Sequence, residues 1–503
     1  MLNIFKNQKI NRKIIFIWLI IFIFLGLVIR TIKLTNQPFY DWDEGIYAQV
    51  SKEIIENKTI KTTFNGEIWL NKPPLLHLIT AAALKVFNYS ETAARLIITF
   101  FSFIVILLTY KLTLKTIKNK QLAILAVLLL VSSKNYIERS SILNTDIIIG
   151  LSWIGYVYFI DKFWIKTLFL VFGVWSKSLV GFFPLVFEII YFFHKNKNIT
   201  LKKLLNFALR LLLQVFLASL WYIYAYLNFG DYFLKAHFYD QIFKRVIKPI
   251  ESHFGNNLGI LYYPYLLWTD SKILTILFTA GFTTIFYKLA RNILNNKDLK
   301  RTFYQLKSIE LLSLFFVPFL ALLIISKSKI YWYIVFILPF LSIIAVYLLA
   351  QIKNKLIYKL SSVFVFILAI SLFIKQTYLY QHRLQTNERS FLAKCVKQEP
   401  EKKIAYLMKT SDRANYRFLR ENDLDTETTF IYGGSPSFVY YSDKNPTFFY
   451  DEQEFIEKFK NYPIVIIQKL DYINLGIDAN DYDLKCESQD KLDHKKWLVF
   501  TKR

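Results

Sequence analysis

Two short stretches near the start of the chain carry side chains of the kind that move protons and hold phosphate. The first is Asp43-Glu44-Gly45-Ile46-Tyr47-Ala48 and the second is Asn71-Lys72-Pro73-Pro74. Ile46, Val50 and Ile54 recur every four residues, so 43–56 reads as an amphipathic helix lying on a membrane surface. Asp43 and Glu44 fall in its first turn, where the helix dipole favours an ionised carboxylate. A carboxylate held ionised near a bilayer can act as a general base or a metal ligand. An aspartate at that position also serves simply as a helix cap. Pro73-Pro74 fixes an extended turn and starts the next helix, which holds Lys72 in place. A fixed ammonium there suits a lipid phosphate, and it also fits a lysine that merely snorkels to the interface.

The elements that must position these groups are membrane spans. Of the 503 residues, 54% are hydrophobic and 18% aromatic, with a mean hydropathy of +0.31. That composition excludes a disordered or collagen-like chain and points to many spans. Apolar runs cover Ile14–Ile29, Leu96–Leu112, Leu122–Tyr136, Ile142–Ile160, Trp164–Trp175, Leu179–Phe193, Leu204–Leu227, Leu258–Tyr287, Ile309–Ile325, Ile330–Ala350 and Ile357–Ile374. They predict an all-α polytopic bundle of about 11 to 13 transmembrane helices. Leu75–Phe87, which contains His77, reads as a further span, a re-entrant helix or an interfacial one.

Charge divides the chain. Residues 1–380 carry 43 Lys and Arg against 17 Asp and Glu, whereas 381–503 carry 20 of each. The basic excess sits in short loops (111–120, 194–203, 288–307 and 351–359) and at the N-terminus. There it sets membrane topology rather than nucleic-acid binding. With 11 spans these segments share one side, which the positive-inside rule makes cytoplasmic. Loops 30–95, 137–146, 228–258 and 326–329 then face out, as does everything after about 375. The expected division is a transmembrane catalytic domain, 1–380, and a small extracytoplasmic α/β domain, 381–503. Strands are expected at Ile404–Met408, Thr429–Tyr432, Ile464–Gln468 and Trp497–Thr501, and helices at Ser435–Tyr441 and Asp451–Asn461, the latter capped by Asp451. Cys395 and Cys486 both lie in this part, and pairing and separate burial as thiols fit equally.

The motifs also resemble a family. Asp43-Glu44-Gly45-Ile46-Tyr47-Ala48, Asn65-Gly66, Lys72-Pro73-Pro74-Leu75 and Glu91-Thr92-Ala93-Ala94-Arg95-Leu96 follow the order and spacing of the GT-C type polytopic glycosyltransferases. The likeness is to the bacterial aminoarabinose-transferase and protein O-mannosyltransferase-like group. It continues through Leu143-Asn144-Thr145-Asp146, Trp175-Ser176-Lys177-Ser178-Leu179-Val180-Gly181, the His237–Arg245–His253 loop with Tyr262-Tyr263-Pro264, and Ser328-Lys329 to Tyr333 and Pro339. Two positions depart from the pattern: Asn71 stands where the aminoarabinose transferases often carry Glu, and Ser178 where Gly is usual.

The resemblance implies a multi-pass glycosyltransferase of the bacterial inner membrane. It would move a sugar from a polyprenyl-phosphate donor to a lipid, protein or polysaccharide acceptor on the outer face. Carried over by position, Asp43, with Glu44 beside it, is the catalytic acid group, as a base on the acceptor hydroxyl or through a positioning hydrogen bond. Lys72, Arg245, Lys329 and Tyr333 would hold the donor phosphate. Tyr47, His253 and Asp146 would support the site, Asp146 alternatively with a divalent cation; the metal requirement stays open. A single essential carboxylate suits direct displacement with inversion, since retention needs a second, nucleophilic one. The rival expectation is a transporter or flippase of lipid-linked sugars. Such proteins usually carry charges at the bilayer midplane and internal repeats, and this sequence displays neither.

Overall fold

The computed structural model describes residues 12–34, 37–247, 258–296, 299–379, 388–421, 435–488 and 496–503. Helices form the larger part: α1 (Arg12–Ile32), α2 (Asp43–Glu56), α3 (Leu75–Val86), α4 (Glu91–Ile117), α5 (Lys120–Val131), α6 (Lys134–Arg139), α7 (Asp146–Tyr158), α8 (Phe163–Lys177), α9 (Pro184–Lys195), α10 (Leu201–Ala218), α11 (Leu220–Phe233), α12 (Lys244–Ile247), α13 (Tyr262–Asp270), α14 (Lys272–Asn296), α15 (Leu299–Tyr304), α16 (Ser308–Ile325), α17 (Leu338–Ala350) and α18 (Lys355–Ile374). Among the described residues, five helices are long and apolar enough to cross a bilayer, and the α10–α11 pair, bent by 50°, makes a sixth. Five shorter apolar helices, including α3, α5, α7 and α17, pack with them. The chain is a multi-pass membrane protein with an all-α polytopic bundle. Several of the expected apolar runs are interrupted: 122–136 breaks at Ser132-Ser133 between α5 and α6, 204–227 bends at Ser219, 258–287 breaks at Ser271 between α13 and α14, and 179–193 and 330–350 each begin in a 3-10 turn before their α-helix.

Apolar contacts hold the bundle. α5, α7 and α17 are buried almost all round, which suits helices whose every face is Leu, Ile, Val or Phe. Trp153 of α7 sits at the centre, its ring packed against those of Phe183, Phe315, Phe319 and Phe336. Because the helices alternate in direction, the basic connections gather at one end. There His194 Nδ1 lies 2.9 Å from the Phe303 carbonyl, Asn119 donates to Tyr358 Oη at 3.2 Å, and Lys288 bonds Gln351. Residues 37–74, the α5–α7 connection and the C-terminal region gather at the other end.

The helix expected at 43–56 forms with those bounds, but it does not lie open on a surface. Its residues from Glu44 to Ser51 are all buried. One side meets α3, and the other meets the helix Pro436–Ser442 of the C-terminal region. A Cβ on Gly45 would come within 2.7 Å of the Ser437 amide nitrogen, so only glycine permits this approach. Beyond α2, β1 (Thr63–Phe64) and β2 (Glu67–Ile68) pair antiparallel around Asn65-Gly66, at φ 56° and 83°. Positive φ at both central residues is the two-residue hairpin turn that Asn-Gly favours. Glu53 of α2 accepts from the amides of Asn65 and Gly66 (2.5 and 3.2 Å), so the hairpin is tied to the helix and returns the chain toward Lys72.

The C-terminal region is a mixed five-stranded sheet, β3 (Lys403–Leu407), β4 (Asn445–Phe449), β5 (Ile464–Gln468), β6 (Tyr482–Glu487) and β7 (Trp497–Lys502), in the order β4-β3-β5-β7-β6. β3 pairs parallel with β4 and β5, and the β5–β7 and β7–β6 pairs are antiparallel. Three of the expected strands form, β4 and β6 were not foreseen, and 429–432 lies outside the described residues. Asp451 caps its helix by accepting from the Glu454 amide at 2.9 Å. Cys395 and Cys486 are joined in a disulfide that links the helix Glu388–Lys397 to β6.

Candidate active site

The α2 N-terminus sets the position of Asp43. Trp42, the residue before it, has φ 65° and ψ −115° and makes no side-chain cap. For a bulky residue that backbone is strained, and strain of this kind collects where surrounding contacts impose it. Here the contacts are those of Glu44. Its Oε2 takes the Tyr40 amide at 2.9 Å and Arg95 Nη2 at 2.7 Å; its Oε1 takes the Leu143 amide at 2.6 Å and Arg95 Nε at 3.0 Å. Arg95 also donates to the carbonyls of Leu34, Gln37 and Pro38. Both side chains are buried, at 0% and 2% exposure. Glu44 therefore has its carboxylate filled by structural partners, and Arg95, from the start of α4, organises the entry to α2.

Asp43 faces the other way. Asp43 does not cap the helix, so its side chain is free to meet other groups. Oδ1 lies 3.6 Å from Lys72 Nζ and accepts from Tyr47 Oη at 3.3 Å, and Oδ2 lies 3.6 Å from Arg139 Nη2. Lys72 bonds Tyr47 Oη and stands 4.6 Å from the centre of its ring. Tyr47 thus bridges the carboxylate and the ammonium, and the rings of His77 and Trp69 pack behind it. Burial works against ionisation of Asp43, but Lys72, Arg139 and Lys177, with the Tyr47 hydrogen bond, outweigh it and hold the carboxyl down at about 2.

Asp146, at the start of α7, completes the cluster. Arg139 donates to its Oδ2 from Nε (3.1 Å) and Nη2 (2.6 Å), and Lys177 bonds Oδ1. The Asn144 side chain accepts from the amides of Asp146 and Ile147, which fixes the turn into α7. Aromatic rings carry the cations: Arg139 lies 4.7 Å from the Trp332 ring and Lys177 lies 4.8 Å from the Tyr333 ring. Carboxylates and cations thus alternate along Lys72, Asp43, Arg139, Asp146 and Lys177.

Of the residues expected at the site, Asp43, Tyr47, Lys72, Asp146 and Tyr333 come together. Glu44 is adjacent but turned into its own ion pair. Lys329 is placed elsewhere: its ammonium donates to the Leu323 and Ile324 carbonyls at 2.9 and 2.6 Å, satisfying the end of α16. The Arg245 backbone lies in α12; its side chain and the whole of His253 lie outside the described residues. Arg139 was missed. It stands in Glu138-Arg139-Ser140 with no motif around it, and the one available signal was an arginine between two apolar runs. No group of three or more His, Cys, Asp or Glu side chains converges on a metal position among the described residues. Both oxygens of Asp146 are taken by cations, so these residues do not fit a divalent ion there.

Residues 71–224 match the family model described as dolichyl-phosphate-mannose-protein mannosyltransferase. An uncharacterized protein of Aquifex aeolicus (strain VF5) is 24% identical over 405 residues, which is 80% of this chain and 84% of that one. A second from the same organism is 26% identical over 237 residues, covering 44% and 47%. The crystal structure of ArnT from Cupriavidus metallidurans bound to undecaprenyl phosphate superposes with a TM-score of 0.65 at 14% identity, over 96% of this chain and 97% of that one. Its apo form gives 0.64 at 13% identity, with the same coverage. In fold over nearly its whole length, and in sequence over 71–224, the chain resembles the GT-C type glycosyltransferases represented by ArnT and the protein mannosyltransferases.

Proposed function

We propose that the chain is a membrane glycosyltransferase that takes a sugar from a polyprenyl-phosphate carrier and passes it to an acceptor hydroxyl, with inversion. The observation that carries this reading is the alternation of Asp43 and Asp146 with Lys72, Arg139 and Lys177 at one end of an apolar bundle. The ArnT structure, crystallised with undecaprenyl phosphate, supports the choice of donor.

When the sugar–phosphate bond breaks, negative charge grows on the departing phosphate. Lysine and arginine side chains already in place stabilise that charge most where water is scarce. Lys72 is the cation best placed to take the phosphate, because its carboxylate contact, at 3.6 Å, is looser than that of Lys177. Arg245, in α12, is assigned to the same phosphate.

A carboxyl held at about 2 is a weak base. Phosphate binding changes this. An anion that engages Lys72 withdraws the largest charge that lowers Asp43, so its basicity rises only once the donor is bound. Asp43 then orients the acceptor hydroxyl and takes its proton, while Arg139 stays to keep the carboxylate aimed. Asp146 acts by holding Arg139 and Lys177. Glu44 and Lys329 have structural roles in this scheme.

The basic connections at the opposite end favour a site that opens on the outer face of the cell membrane, with the N-terminus inside. A transporter of lipid-linked sugars would concentrate its charges at the midplane; this cluster lies at the bundle end, which favours the enzyme. Reconstitution with polyprenyl-phosphate sugars tests the proposal. Release of free polyprenyl phosphate that depends on an acceptor supports it, and movement of intact donor across the bilayer with no release refutes it.

A further inference from the structure

Ser178 follows Lys177 directly and ends α8 with φ 64° and ψ −142°. Glycine adopts that backbone freely, and a side-chain-bearing residue adopts it only under constraint. The serine hydroxyl is buried and engaged on two sides, 2.8 Å from Tyr222 Oη and 2.7 Å from His237 Nε2. The other ring nitrogen of His237, Nδ1, lies 2.9 Å from the Leu70 carbonyl. A carbonyl only accepts, so Nδ1 carries the proton and Nε2 of the neutral ring accepts. The hydrogen bonds therefore run in one direction, from Tyr222 to Ser178, from Ser178 to His237 and from His237 to Leu70.

This chain of bonds joins three segments of the site. Leu70 lies two residues before Lys72, and Ser178 lies one after Lys177. His237 stands on the π-helical turns Leu234–Phe243 that run into α12 and Arg245. The imidazole is fully buried, with the rings of Trp221, Tyr222 and Phe233 at 5.1, 5.5 and 5.3 Å. Elongated π-helical turns are uncommon, and they tend to occur at functional sites.

We propose that Ser178 is a positioning residue whose hydroxyl, through His237, latches the 234–243 segment to the two lysine-bearing segments and so sets where the donor phosphate is held. The inference rests on the sugar-transfer reading above. The backbone conformation alone favours glycine at 178, and the hydroxyl accounts for the serine.

The variant Ser178→Gly, in the full chain reconstituted in lipid, separates these effects, because it relieves the backbone while removing the latch. We expect faster amide hydrogen exchange across 234–243. We also expect a KM for the polyprenyl-phosphate sugar raised about five- to tenfold, with kcat changed less than about twofold. His237→Leu should match it, and the double variant should be no worse than either alone. His237→Gln, whose amide can donate to Leu70 and accept from Ser178, should keep most of the wild-type KM. Exchange in Ser178→Gly equal to wild type, or faster exchange with an unchanged KM, would overturn the proposal. If the wild-type chain releases no polyprenyl phosphate, the transfer reading fails by itself, and the exchange comparison still decides the latch.

Discussion

Arg139 Nη2 lies 3.6 Å from Asp43 Oδ2 and 2.6 Å from Asp146 Oδ2, so one guanidinium joins the two carboxylates of the site. The three residues come from α2, α6 and the start of α7. The arginine is 6% exposed and rests on the Trp332 ring. A lysine cannot reproduce a fork that grips Asp146 through two nitrogens and still reaches Asp43.

Replacing that arginine should therefore cost turnover. Arg139→Met leaves Asp43 without its second cation and Asp146 with Lys177 alone. We expect kcat to fall about 100-fold or more, in the range found when a preorganised electrostatic group is lost. Arg139→Lys should retain only a minor part. Steady-state release of polyprenyl phosphate measures both, and full activity in Arg139→Met would remove this residue from the site.

The acidity of Asp43 gives a pH signature. In the free protein the carboxyl is held at about 2, so it stays ionised above about pH 4. The profile of kcat/KM, which reports the free enzyme, should show no acidic limb from Asp43 above about pH 4. The kcat profile reports the donor-bound form. With Lys72 drawn to the phosphate, protonation of Asp43 moves up, and activity should fall as pH drops through the raised value. Identical acidic limbs in the two profiles would contradict a donor-dependent base.

Glu44 and Asp43 are adjacent carboxylates with opposite assignments. Arg95→Leu leaves Glu44 buried without its cation, and breaking a buried pair in this way costs about 3–5 kcal/mol. Thermal unfolding in detergent should shift sharply down. Asp43→Asn should leave that unfolding near wild type while abolishing transfer. A catalytic Glu44 would give the reverse result, with Glu44→Gln stable and inactive.

Much of this arrangement was legible before the structure. Membrane spans announce themselves by composition, and the extent of α2 followed from the spacing of Ile46, Val50 and Ile54. Asp43 was visible at the start of an amphipathic helix and Lys72 beside the Pro73-Pro74 turn, whereas Asp146 was pointed to only by the family resemblance. What stayed hidden depends on pairing across long separations. Nothing local distinguishes Glu44 from Asp43; the difference is Arg95, which reaches only one of them. The resemblance pointed to Lys329 as a phosphate ligand, and its contacts with the open carbonyls at the end of α16 had no sequence signal. Arg139 was missed because its partners come from other elements. The burial of α2 was missed for the same reason, since the helix that covers it comes from the far end of the sequence.

That cover yields the last prediction. Asp41 accepts from the Ser437 amide at 3.0 Å and pairs with Arg389, Tyr441 Oη donates to Glu91 at 3.0 Å, and Lys52 reaches the Tyr440 carbonyl at 3.2 Å. These contacts run from the entry of α2 to its third turn and onto the start of α4, so the C-terminal region braces the helix that carries Asp43. Gly45 is its tightest point: an added methyl group would stand 2.7 Å from the Ser437 nitrogen and 3.1 Å from the Pro436 carbonyl carbon. Gly45→Ala must push the Pro436–Ser442 helix away, although alanine is the better helix former. We expect faster proteolytic release of the C-terminal region and at least about a tenfold loss of kcat, since small misplacements of a reacting group are costly. An exposed helix position would instead gain stability from the same change. Gly45→Ala with wild-type proteolysis and turnover would therefore show that the brace does not set the position of Asp43.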